Sequence, residues 1–86
     1  MRPPEGTFTL LARCTFESRG QRLVVELRRY PGGELFEVEV LPDGEESAHE
    51  VTETYARASM RLRGSEAPSH RYLTPEGEAF LAEKAD

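Results

Sequence analysis

Cys14 is the only cysteine in the chain and its strongest intrinsic nucleophile. It lies on the apolar side of an alternating run, Phe8, Leu10, Ala12, Cys14 and Phe16, where a thiol behaves as a small hydrophobe. No neighbour in sequence would lower its pKa, and a single cysteine forms no internal disulfide. The serines (Ser18, Ser47, Ser59, Ser65, Ser69) fall in turns or on a helix, without a nucleophile elbow, and no phosphate-binding or dinucleotide motif is present. One group has ligand-like spacing. On a helix, Glu46, His49, Glu50 and Glu53 would share a side at i, i+3, i+4 and i+7 and could hold a divalent cation. The simpler reading is a solvated acidic first turn that complements the helix dipole. The expectation is therefore a non-enzymatic protein with no catalytic, cofactor or metal site.

The elements that would position these groups are mostly strands. Leu23, Val25 and Leu27 alternate with Arg22, Glu26 and Arg28, and Phe36, Val38 and Val40 alternate with Glu37 and Glu39. Arg19-Gly20 and Pro31-Gly32-Gly33 supply turn chemistry. A two-residue turn at Arg19-Gly20 sets Phe16 opposite Leu23, Cys14 opposite Val25 and Ala12 opposite Leu27. It also sets Glu17 opposite Arg22 and Arg13 opposite Glu26, so both faces are satisfied together. A four-residue turn from Pro31 to Glu34 would set Leu27 opposite Val38 and Val25 opposite Val40, so that all three strands share one apolar face.

That face needs a cover. Val51, Tyr55, Ala58 and Leu62 lie within about 60° of one another at ~100° per residue. Ser47 with Glu50 reads as a capping box and Gly64 as a stop, which predicts a helix over residues 48–63. The rival is a strand, because Ala56, Ala58, Met60 and Leu62 also alternate with polar residues. Thr74-Pro75-Glu76 predicts a second helix to Glu83 that buries Phe80 and Leu81. The stretch from Tyr72 to Leu81 resembles the wing-to-helix end of winged-helix regulators. The helix-turn-helix that should precede it is missing, so the likeness is one of capping and implies no family. The predicted fold is α+β: a three-stranded antiparallel meander covered on one face by an α-helix, with a short C-terminal helix (β-β-β-α-α). It forms a single domain over residues 7–86 behind a flexible lead-in, residues 1–6.

Charge is the remaining clue to function. The net charge is −5, yet residues 34–53 carry eight acids and no Lys or Arg, whereas residues 57–71 carry four Arg against one Glu. An acidic surface made of Glu37, Glu39, Asp43, Glu45, Glu46, Glu50 and Glu53 is the expected partner-binding site. It would meet a protein with a basic surface, and in its sharpest form would mimic a nucleic acid. Two alternatives come from other classes. One is nucleic-acid binding through Arg13, Arg22, Arg28 and Arg29 on the sheet or Arg57, Arg61 and Arg63 on the helix. The other is a structural homo-oligomer, or homodimer, formed by edge pairing of strand one or by apolar residues left on the outer sheet face. No signal peptide and no apolar run of about 20 residues is present, so a cytoplasmic protein without a membrane partner is expected.

Overall fold

Turn length decides which side chains this sheet buries. The computed structural model describes residues 4–83; the start of the lead-in, residues 1–3, lies outside them. Strands β1 (Thr9–Ser18) and β2 (Gln21–Arg29) are joined at Arg19 and Gly20, both at positive φ (54° and 75°), which matches the right-handed twist of the flanking strands. Their register is the expected one: Phe16 faces Leu23, Cys14 faces Val25, Ala12 faces Leu27 and Arg13 faces Glu26. A bulge between Leu10 and Ala12 interrupts the alternation. It turns Leu11, which unbroken alternation would place on the face opposite Ala12, into the core, and it pairs Leu10 with Arg28.

The next hairpin departs from expectation. Strand β3 (Leu35–Val40) follows a three-residue loop, Pro31-Gly32-Gly33, rather than a four-residue one. Tyr30 N–H donates to the Glu34 carbonyl (2.9 Å), Gly33 N–H donates to the Tyr30 carbonyl (2.8 Å), and Gly33 takes φ 94°. One residue fewer in the turn slips the register by one. Leu27 therefore faces Glu37 and Val25 faces Glu39, while Phe36 and Val38 lie on the other face beside Arg28 and Glu26.

The sheet has five strands, not three. A second three-residue turn, Pro42-Asp43-Gly44, leads to β4 (Glu46–Val51), in the segment expected to begin the helix. After the helix, β5 (Arg71–Leu73) pairs with β1 at Ala12, Arg13 and Cys14, so the middle of β1 is not an open edge. All ladders are antiparallel, in the order β4-β3-β2-β1-β5.

Helix α1 (Glu53–Glu66) starts later than expected and runs through Gly64. Its N-cap is Thr52, whose hydroxyl accepts from Tyr55 N–H (3.1 Å), rather than Ser47. This start sets the helix phase: Ala56, Arg57, Met60 and Gly64 are buried, while Tyr55 (50% exposed) and Leu62 (62%) point outward. The expected packing stripe is thus the solvent-facing one. Helix α2 (Pro75–Ala82) follows expectation, with the Thr74 hydroxyl accepting from Gly77 N–H (3.0 Å) and Phe80 buried.

Both helices serve one face. Ala56, Met60 and Phe80 pack with Leu11, Ala12, Cys14, Val25, Leu27 and Leu35. The opposite face holds a second cluster, Tyr30, Phe36 and Val38 with Val40 and Ala48, which no helix residue joins. Its cover comes from long side chains. Arg28 stacks over Phe8 (4.3 Å) and stands between Glu26 and Glu46, and Glu26 also accepts from Arg13 Nε (2.9 Å). Burial alone would lower the Arg28 pKa; the hydrogen bonds it donates to Glu46 and Glu26 outweigh that and hold the guanidinium firmly charged.

Candidate binding surface

Three of the seven acidic residues have partners inside the fold. Glu37, 1% exposed, accepts from Ser59 Oγ (2.9 Å) and Arg63 Nη2 (2.9 Å) beneath α1, so its carboxylate is not offered to solvent. Glu46 takes a two-pronged contact from Arg28 (3.3 and 3.1 Å), and Glu53 pairs with Arg57 one helical turn on (3.3 Å). Glu39, Asp43, Glu45 and Glu50 form no ion pair among the described residues.

Strand alternation also separates them in space. Glu37 and Glu39 lie on the helix-bearing face, opposite His49 and Ser47, whereas Glu46 and Glu50 lie on the other face. Asp43 and Glu45 sit at the hairpin tip, where Asp43 Oδ1 accepts from Glu45 N–H (3.0 Å) and fixes the turn. The acidic block is therefore not one patch. It runs around the β3–β4 hairpin, with unpaired carboxylates on both sides of β4. The helical ligand set Glu46, His49, Glu50 and Glu53 does not form, because β4 sends His49 to the opposite face from Glu46 and Glu50. Among the described residues no three His, Cys, Asp or Glu side chains gather as a metal site.

The backbone of β4 contributes what the side chains do not. Leu41 N–H donates to the Glu45 carbonyl (2.8 Å) at the hairpin neck. In an antiparallel ladder bonded and non-bonded pairs alternate, so Val40:Glu46 is non-bonded, Glu39:Ser47 bonded, Val38:Ala48 non-bonded and Phe36:Glu50 non-bonded. The N–H and C=O groups of Glu46, Ala48 and Glu50 thus point away from β3, at the open edge of the sheet. Sequence reading missed this edge. The signal that could have found it is the repeated turn, since Pro42-Asp43-Gly44-Glu45 copies the pattern of Pro31-Gly32-Gly33-Glu34.

Of the arginines proposed for nucleic acid, Arg13, Arg28, Arg57, Arg61 and Arg63 are engaged within the fold, whereas Arg22 and Arg29 form no ion pair among the described residues. Arg57 Nε donates to the Phe80 carbonyl (3.0 Å), its Nη2 reaches Glu83 (2.7 Å), and its guanidinium lies over the Phe80 ring (4.4 Å). Arg61 donates to the Leu81 and Glu83 carbonyls, and Arg63 neutralises Glu37. On the sheet, Arg13 and Arg28 share Glu26. Cys14 is fully buried, and desolvation pushes its thiol pKa up, chiefly against the pull of Arg71 and Arg63. A shallow groove of about 350 Å³ along the exposed stripe of α1 is lined by Tyr55, Ala58 and Leu62 with Arg63 and Glu66. No helix among the described residues is long and apolar enough to cross a membrane. Compared with protein-family models, curated proteins and solved structures, the chain finds no match. Its class is that of a two-layer α+β fold whose sheet ends in β4 on one side and in the short β5 on the other.

Proposed function

We propose that this chain is a small binding protein that docks a partner protein with a basic surface through the β3–β4 hairpin. The observation that supports it is a set of carboxylates on one hairpin that form no ion pair among the described residues. Arg13, Arg28, Arg57 and Arg63 each meet a carboxylate within the fold, whereas Glu39, Asp43, Glu45 and Glu50 meet none among the described residues. The negative field left at the hairpin steers a cationic surface towards it, speeds association and weakens with salt. Glu46 and Glu53 lend charge at the margins, and Glu37 takes no part because it is buried.

The test is capture of a partner from host extract at low salt, with release at high salt, compared between the natural chain and a Glu39→Gln/Glu45→Gln/Glu50→Gln variant. These side chains form no ion pair among the described residues, Glu45 and Glu50 exposed and Glu39 half-buried, so the variant should keep its circular dichroism and melting temperature while losing the partner. Equal capture by both proteins would refute the reading.

A further inference from the structure

We infer that the open edge of β4 receives an extended basic segment of the partner as a sixth strand. This rests on the reading that the hairpin carboxylates meet a basic partner, and it names how they do so. Glu46, Ala48 and Glu50 present three N–H and three C=O groups outward, in one row at ladder spacing. An added strand satisfies these groups as the neighbouring strands satisfy one another.

The side chains beside that row select the occupant. Glu46, Ala48 and Glu50 project from one face. A strand laid along β4 sets its own residues about 5 Å from them, Cβ to Cβ. In a segment that runs antiparallel, as every ladder of this sheet does, cationic side chains at i and i+4 then meet Glu50, which has no ion pair among the described residues, and Glu46, which also holds Arg28. The residue between them meets Ala48, next to buried Val38. Ser47 and His49 face the intervening side chains on the opposite face.

A second copy of the chain is the obvious competitor for any open edge. Full antiparallel overlap with Ala48 on the twofold axis would set Glu46 of each copy against Glu50 of the other. Like charges directly opposite are destabilising, so the same carboxylates that attract a basic segment repel a copy of β4.

The probe is the blocked peptide Thr-Lys-Thr-Val-Thr-Lys-Thr, titrated into the full chain and followed by amide resonances and hydrogen exchange. Binding should slow exchange at Ala48 and Glu50, whose amides are open in the free protein. The same peptide with Pro in place of Val keeps both charges but loses the central donor, and should bind about tenfold more weakly. Ala48→Pro in the protein should do the same. Its N–H faces outward, so no β3–β4 bond is lost, and the peptide pair tests the same point if that variant does not fold. Equal binding of the Pro peptide, or binding without protection at Ala48 and Glu50, would overturn strand addition while leaving the charge reading intact. Equal binding by the Glu39→Gln/Glu45→Gln/Glu50→Gln variant would instead overturn the charge reading. Failure of the Val peptide to bind would overturn strand addition, as would a concentration-dependent dimer in light scattering that Ala48→Pro abolishes.

Discussion

Two helical glycines should respond in opposite ways to the same substitution. A methyl group built on Gly77 meets the Leu11 carbonyl oxygen at 1.8 Å and its carbon at 2.6 Å. These are backbone atoms of the bulge in β1, and they cannot rotate away. That carbonyl also accepts from Thr74 N–H (3.2 Å) and Thr74 Oγ1 (3.3 Å), so the first turn of α2 is pinned where the clash falls. Bringing 1.8 Å to a tolerable 3.0 Å requires α2 to retreat by their difference, 1.2 Å, which stretches both bonds past 4 Å and lifts Phe80 from Leu11 and Ala12. Two lost hydrogen bonds cost about 2 kcal/mol, and loosening Phe80 adds about 1–2. The better helix propensity of alanine returns less than about 1. Gly77→Ala should therefore destabilise by about 2–3 kcal/mol. Gly64 differs, because the atoms nearest its added methyl belong to the exposed side chain of Arg71 (Nη1 at 2.2 Å, Cδ at 2.6 Å), which can swing out. Gly64→Ala should be neutral or stabilising by up to about 1 kcal/mol. Thermal and urea unfolding read both, at roughly 4–8 °C per kcal/mol for a domain of this size. A Gly77→Ala protein as stable as its parent would refute this packing of α2, as would equal losses at the two sites.

The ion pair under α1 makes a second prediction. Arg63→Leu leaves the buried Glu37 carboxylate with Ser59 alone and should cost about 2–3 kcal/mol, whereas adding Glu37→Leu should restore much of the loss in urea unfolding. Cys14 makes a third: the native thiol should resist a disulfide reagent that reacts at once with the unfolded chain. Its folded pKa is raised, so the native state holds the proton longer; this contribution is intact below the ordinary value of 9.0 and is lost as pH rises through the higher folded value. Cys14→Ala should flatten that part of the alkaline fall in stability.

The first hairpin was legible because two independent constraints agreed. The Arg19-Gly20 turn and the pairing of Glu17 with Arg22 and Arg13 with Glu26 admit one register. The third strand offered no such check. Phe36, Val38 and Val40 alternate with acids equally well in either phase, and apolar matching favoured placing them with Val25 and Leu27. The loop instead closed at Glu34, with Gly33 at positive φ. Strand β4 was hidden because an edge strand exposes both faces, so Glu46, Ser47, His49 and Glu50 carry no apolar alternation. The phase of α1 was hidden because Tyr55, Ala58 and Leu62 form a more hydrophobic stripe than Ala56, Met60 and Gly64. Close approach to a sheet favours the smaller residues, and the Thr52 cap fixes the choice.

The length of one turn also governs the charge available for binding. With β3 slipped by one residue, Glu37 points under α1, where burial of its carboxylate requires Arg63. Phe36 and Val38 move to the face without helices, where Arg28 and Glu26 must cover them and Glu46 completes the pairing. Each of these steps joins an arginine to a glutamate inside the fold. Arg13, Arg28, Arg57 and Arg63 are thereby committed at α1 and mid-sheet, while Glu39, Asp43, Glu45 and Glu50 form no ion pair among the described residues. In the four-residue register Glu37 would project from the uncovered face, free of Arg63, and the helix would keep an unpaired cation beside the acidic hairpin. The observed register instead commits Arg63 to Glu37. Glu39 and Glu50, on opposite faces of the β3–β4 ladder, have no arginine paired to them among the described residues, and the proposed strand addition draws on that charge.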